Sequence, residues 1–159
     1  MSNLVFKQLF EKESSTYTYI VGDEITKEAV IIDPVDLTAV RDANLIKELG
    51  LNIKYALNTH VHADHITGTH ALRGHLPNLK SALSEKSGGR ADAYFKQGDH
   101  IKIGGFTLDV LETPGHTDGC VSFYLYGSGI IPCVFTGDAV LIRGCGRTDF
   151  QQGSSETLY

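Results

Sequence analysis

Three cysteines, Cys120, Cys133 and Cys145, are an odd number without a Cys-x-x-Cys spacing. The shortage excludes a disulfide framework and a thiolate zinc site, and it suits a reducing compartment. Cys120 and Cys133 fall in apolar, strand-like stretches where an inert buried thiol is expected, whereas Cys145 lies between glycines in a loop. No apolar run approaches the roughly 20 residues that span a bilayer. The start of the chain holds a single basic residue, Lys7, and no signal-type hydrophobic segment, so it reads as mature structure. Basic charge is also short: 14 Lys and Arg against 19 Asp and Glu leave a net charge of −5, with no basic block. These deficits argue against nucleic-acid and membrane partners. Internal repeats and low-complexity linkers are lacking as well. What remains is one domain over residues 1–159, long enough to bury a core without staples.

Strand signals dominate the first third. Thr16 to Val21 is rich in β-branched and aromatic residues and stops at Gly22; Ala29 to Ile32 is a short apolar run ended by Asp33-Pro34. Asp36 is placed to cap a helix from Leu37 to Leu49, with Ala39, Val40, Ala43, Ile46 and Leu49 on one face and Gly50 as its stop. Further strands are expected at Ile53–Leu57, Asp99–Ile103, Phe106–Leu111, Cys120–Tyr126 and Ile130–Phe135. Gly104-Gly105 marks a hairpin, and Pro132 places the last strand at an edge. Interleaved strands and helices of this kind imply a layered α/β domain.

Chemistry concentrates just after three of these strands. His60-Val-His62-Ala-Asp64-His65 packs four metal-capable side chains into six positions. On a turn, such spacing lets imidazoles and a carboxylate converge on one point, which a regular strand does not allow. Imidazole suits zinc, iron, copper or nickel, and a carboxylate shifts the preference towards harder ions. Thr113-Pro-Gly-His116-Thr117 and Thr136-Gly-Asp138 each follow a strand and add a histidine and a carboxylate. Each is weak alone, but the three loops together form a set. Asp33, at a strand end, is either a positioning group at the site edge or a turn residue.

His-x-His-x-Asp-His, then Gly-His, then Gly-Asp, in that order, resembles the metallo-β-lactamase superfamily. Its members include glyoxalase II-type thioester hydrolases, lactamases, nucleases, flavoprotein oxygen reductases and persulfide dioxygenases. The resemblance implies the α/β (α+β) class and an αββα sandwich, with metal bound at one edge of the paired sheets. Thr59 to Gly68 and the long segment Gly137 to Gly153 are similar, more finely, to the persulfide dioxygenases. Glyoxalase II enzymes share the Gly-Cys-Gly element but typically not its Ile-Arg…Arg-Thr-Asp-Phe-Gln-Gln context. The match runs from Phe6 to Tyr159. Asp118 departs from it, standing where the family often has proline. Members also continue further, so the resemblance implies a chain truncated in the second half of the fold, with a helix just begun at Ser154 or Ser155.

Carried across by resemblance, His60, His116 and Asp138 hold one Fe(II), and His62, Asp64 and His65 are positioning groups or alternative metal ligands. No catalytic residue beyond the metal ligands is implied. The reaction implied is oxidation of glutathione persulfide by dioxygen to sulfite and glutathione, in hydrogen sulfide catabolism. Its compartment is the mitochondrial matrix in a eukaryote and the cytoplasm in a bacterium, and a homodimer is allowed. Thr117, Arg143 and Arg147 are candidates for substrate contact, with a closed turn and a structural ion pair as the plainer readings. The zinc-dependent alternative is a hydroxyacylglutathione thioester hydrolase, and a third is an inactive metal-binding fragment. The side-chain inventory permits both metal arrangements; the resemblance, not the ligand count, favours iron.

Overall fold

Alternation along the strands sends side chains into two separate cores, and that division builds the molecule. The computed structural model describes residues 2–159. Six strands form the first sheet in chain order: β1 (Leu4–Phe10), β2 (Tyr17–Asp23), β3 (Glu28–Ile32), β4 (Asn52–Leu57), β5 (Lys80–Ser84) and β6 (Ala93–Phe95). The first two pairings are antiparallel and the remaining three parallel. On β3, Val30 and Ile32 face one core while Ala29 and Ile31 face the other. This explains its unbroken apolar run, since a strand covered on both faces has no solvent side.

Helices α1 (Ala39–Glu48) and α2 (Thr69–Arg73) cover one face of this sheet, where Ala43, Ile46 and Leu72 meet Ile20 and Ile31. Against the other face lies an antiparallel sheet of β7 (His100–Ile103), β8 (Phe106–Glu112), β9 (Val121–Gly127) and β10 (Cys133–Phe135), in the order β10-β9-β8-β7. Leu108, Val110, Phe123 and Leu125 fill the space between the sheets. The outer face of the second sheet, which presents Asp109, Tyr124 and Tyr126, is not covered by a long helix among the described residues; α3 (Ser155–Leu158) has one turn.

Three local expectations are corrected. Asp36 does not cap α1: Asp36–Thr38 forms a 3-10 turn, and neither it nor α1 has a side-chain cap. Val40 is 59% exposed because the buried stripe runs through Ala39, Asp42, Ala43 and Ile46. The last strand begins at Cys133, not Ile130, since Pro132 cannot donate to the ladder.

Candidate metal centre

The histidine-rich run sits immediately beyond β4, in the middle of the first sheet, and the other two motifs follow β8 and β10 of the second. Loops from both sheets therefore meet at one edge of the sandwich. His60, His116 and Asp138 bring one ligand atom each to within 4.8 Å of one another. The His116 Nε2 to Asp138 Oδ2 distance is 3.5 Å, and the His60 and His116 rings stand perpendicular with centroids 4.9 Å apart. His62, Asp64 and His65 form a second such group beside it.

Each imidazole of the first group is fixed from behind. Asp33, in the left-handed region at φ +48°, is buried and aims its carboxylate at the start of the histidine run. It accepts the Thr59 amide at 2.7 Å and the Thr59 hydroxyl at 2.9 Å. With its proton given to Asp33, the Thr59 oxygen accepts from His60 Nδ1 at 3.0 Å, which leaves the Nε2 lone pair of His60 for a metal. Burial, reinforced by the neighbouring His62, pushes the His60 pKa down to about 3 and keeps the ring neutral. His116 Nδ1 donates to the main-chain carbonyl of Arg147 at 2.7 Å, again leaving Nε2 free.

His62 is held differently. Its Nε2 lies 3.2 Å from Asp33 Oδ1. Burial opposes charge on both partners, yet their hydrogen bond and mutual attraction outweigh it, raising the His62 pKa and lowering that of Asp33. His65 Nδ1 is 3.2 Å from Asp64 Oδ1 but not aligned for a hydrogen bond, so both buried ring nitrogens of His65 lack a partner. The orphaned ring nitrogens of His65, beside His62 and Asp64, fit a divalent metal. The two-imidazole, one-carboxylate set suits non-haem iron or zinc equally by donor chemistry.

The description of the metallo-beta-lactamase superfamily matches residues 12–159. The chain belongs to that superfamily. Among relatives, the mouse mitochondrial persulfide dioxygenase ETHE1 is 56% identical over 156 residues, covering 98% of this chain and 60% of the mouse protein. A cytoplasmic hydroxyacylglutathione hydrolase of Arabidopsis thaliana is 35% identical, covering 90% of this chain and 55% of that protein. The crystal structure of ETHE1 from Myxococcus xanthus superimposes with a TM-score of 0.88 at 46% identity, covering 97% of this chain and 66% of that one. The chain thus spans about 60% of the length of the ETHE1 relatives it matches.

On this metallo-beta-lactamase scaffold, a cavity of about 640 Å³ opens beside the metal groups. Asp138, His62 and Asp64 line its metal side, and Tyr17, Tyr19 and Val140 add apolar lining. Thr117, Arg143 and Arg147 do not line it. Thr117 is buried, with its hydroxyl 3.2 Å from Cys120 Sγ, which closes the turn behind His116. Arg147 pairs in a bidentate way with Asp149 at 2.8 and 3.0 Å and lies over the Phe150 ring. Arg143 is exposed at φ +65°, within a turn closed by Leu141 and Gly144. Two contributors were invisible as chemistry in the sequence: the Thr59 hydroxyl and the Arg147 carbonyl. Asp33 was detectable only by its position at a strand end.

Proposed function

We propose that the chain is a non-haem iron persulfide dioxygenase acting on glutathione persulfide, with His60, His116 and Asp138 as its metal ligands. The observation that carries this reading is the convergence of those two imidazoles and one carboxylate, with His62 Nε2 already engaged by Asp33. The similarity to persulfide dioxygenases at 55–56% identity supports the same reading. Iron held there supplies the redox chemistry between dioxygen and sulfur. In the net reaction the terminal persulfide sulfur leaves as sulfite. Two of its oxygens come from dioxygen and one from water, and glutathione thiol remains.

The chain's own residues bind and orient. Asp33 and Thr59 hold His60 in one tautomer, and the Arg147 carbonyl does so for His116. The larger cavity admits the substrate beside Asp138, where Tyr17, Tyr19 and Val140 offer apolar contact. Of the two arginines that flank Cys145, Arg143 at the cavity's outer margin is the one for the anionic glutathione moiety, because the guanidinium of Arg147 is committed to Asp149. In a eukaryotic chain the location would be mitochondrial, by analogy with the mitochondrial ETHE1 proteins of mouse and human.

A zinc-dependent thioester hydrolase is the second reading, favoured by one observation: His62, Asp64 and His65 form a further ligand set with unpartnered ring nitrogens. Metal analysis with oxygen uptake on glutathione persulfide separates the two. Iron near one per chain with oxygen consumption supports the dioxygenase; stoichiometric zinc without oxygen uptake overturns it. Under the iron reading, His60→Ala, His116→Ala and Asp138→Ala each lose the metal, whereas His65→Ala keeps most of it. Equal loss in all four variants favours the dinuclear hydrolase.

A further inference from the structure

A second cavity, about 310 Å³, lies on the α2 side of the histidine run and shares His60 and His62 as one wall. Its other walls include Asn58 beyond β4, His70 and Arg73 on α2, Ser81 on β5 and Arg90, with Val61 and Leu83 as apolar neighbours. No aspartate or glutamate lines it. Neither the metal ligand set nor the larger cavity uses Asn58 or Arg90.

Arg73 belongs to the scaffold. Its guanidinium donates to the Leu79 carbonyl at 3.1 Å, to Ser81 Oγ at 3.3 Å and to the carboxylate of Asp92, which neutralises it. Arg90 is different: it is exposed and has no ion-pair partner among the described residues. Asn58 is the deep feature. It is only 4% exposed, and its Oδ1 accepts the Thr67 hydroxyl at 3.0 Å, which turns Nδ2 towards the cavity. That Nδ2 donates to no protein acceptor and is not sealed from solvent, so it stands open to the cavity. An acceptor entering the cavity takes that hydrogen bond in place of water.

We propose that this cavity binds a small oxyanion, held by the Asn58 amide at its base and the Arg90 guanidinium at its mouth. Donors without a competing carboxylate select a ligand that only accepts. Two sources share this chemistry: an inorganic sulfur oxyanion such as sulfite, and a carboxylate carried by a peptide-like thiol such as glutathione. The site does not depend on the dioxygenase reading, since none of its donors is a metal ligand.

The test uses the metal-free, 15N-labelled 159-residue chain, titrated separately with sulfite and with glutathione. The Asn58 side-chain amide and Arg90 Nε–H signals are expected to move together along one saturating curve. Arg90→Gln is expected to weaken binding about tenfold, the loss of one charge-assisted hydrogen bond, and Asn58→Asp to abolish it. Saturation by sulfite alone identifies the inorganic source, by glutathione alone the carboxylate, and by both the shared chemistry. The proposal is overturned if neither anion moves Asn58, or if affinity is unchanged in Arg90→Gln. Should Asn58→Asp fail to fold, Arg90→Glu at its exposed position decides: undiminished binding rejects the site. Because no metal is added, a failure here leaves the iron reading standing, and loss of the iron reading leaves this site standing.

Discussion

His116 Nδ1 lies 2.7 Å from the main-chain carbonyl oxygen of Arg147, so a loop 31 residues further along the chain fixes how a candidate metal ligand presents its other nitrogen. The loop also touches the carboxylate ligand, since the Gly146 amide donates to the Asp138 carbonyl at 2.6 Å. A Cβ at Gly146 would stand 2.8 Å from both His116 Nδ1 and Asp138 Cβ, whereas one at Gly144 meets nothing within 4 Å. Gly146→Ala is therefore expected to weaken metal binding about 10–100-fold, the range for disturbed supporting partners. Gly144→Ala serves as the unaffected control. Isothermal titration with the metal checks both; equal affinities would remove the loop from the centre's support.

Asp33 plays the matching part for His60, through the Thr59 hydroxyl. Asp33→Ala leaves the Thr59 amide and hydroxyl without their acceptor, at a cost of about 1–3 kcal/mol in unfolding free energy. It also frees the Thr59 proton, so His60 loses its fixed tautomer. 15N spectra of the metal-free protein are expected to show His60 shifting from mainly Nδ1–H to a mixture. An unchanged His60 spectrum would show that Thr59 acts without Asp33.

What could be seen in the sequence follows from which interactions are local. The His60 to His65 run announces itself because four ligating side chains are neighbours, and β3 because a doubly covered strand is continuously apolar. β1 was missed: Leu4–Phe10 is an edge strand of mixed burial with Lys7 and Gln8 inside it. β5 and β6 were missed because five and three residues carry too little pattern to separate them from loop. Val40 was misassigned because a helical stripe admits several apolar choices until the sheet beneath is known. The Arg147 carbonyl had no signature at all, since every residue has a carbonyl and only the fold selects this one. Asn58 was equally silent, its donor being exposed to a cavity that exists only once β4, β5 and α2 are assembled.

The centre draws His60 from the first sheet, and His116 and Asp138 from the second, so its geometry depends on the packing between them. Phe123 is fully buried in that layer, with its ring edge-on to Phe95 at 5.3 Å. Phe123→Ala is expected to cost about 3–5 kcal/mol, combining lost transfer energy with a residual cavity. Urea denaturation measures it. A value below ~1 kcal/mol would mean that the sheets close over the gap. If the site relies on sheet packing, metal affinity falls in the same variant although no ligand has been touched.

Glu11 gives a pH-dependent prediction away from the metal. Its carboxylate accepts the Ser14 hydroxyl at 2.6 Å and the amides of Ser14 and Glu13 at 2.7 Å each, closing the turn between β1 and β2. The Ser14 hydroxyl, then the two amides, pull its pKa from 4.5 down to about 2. A carboxylate whose folded pKa is depressed stabilises the fold fully above its unfolded value and loses that contribution as pH falls towards the folded one. The stability gap between the natural chain and Glu11→Gln is therefore expected to be level above pH 4.5 and to close between 4.5 and about 2. Thermal melts of the metal-free protein across that range are the check. A gap that stays constant down to pH 2 would mean that the turn is held by the geometry of the side chain and not by its charge. Ser14 and Ser15 border the larger cavity, so the same substitution is expected to loosen the cavity rim at neutral pH, read as faster amide exchange over residues 11–16.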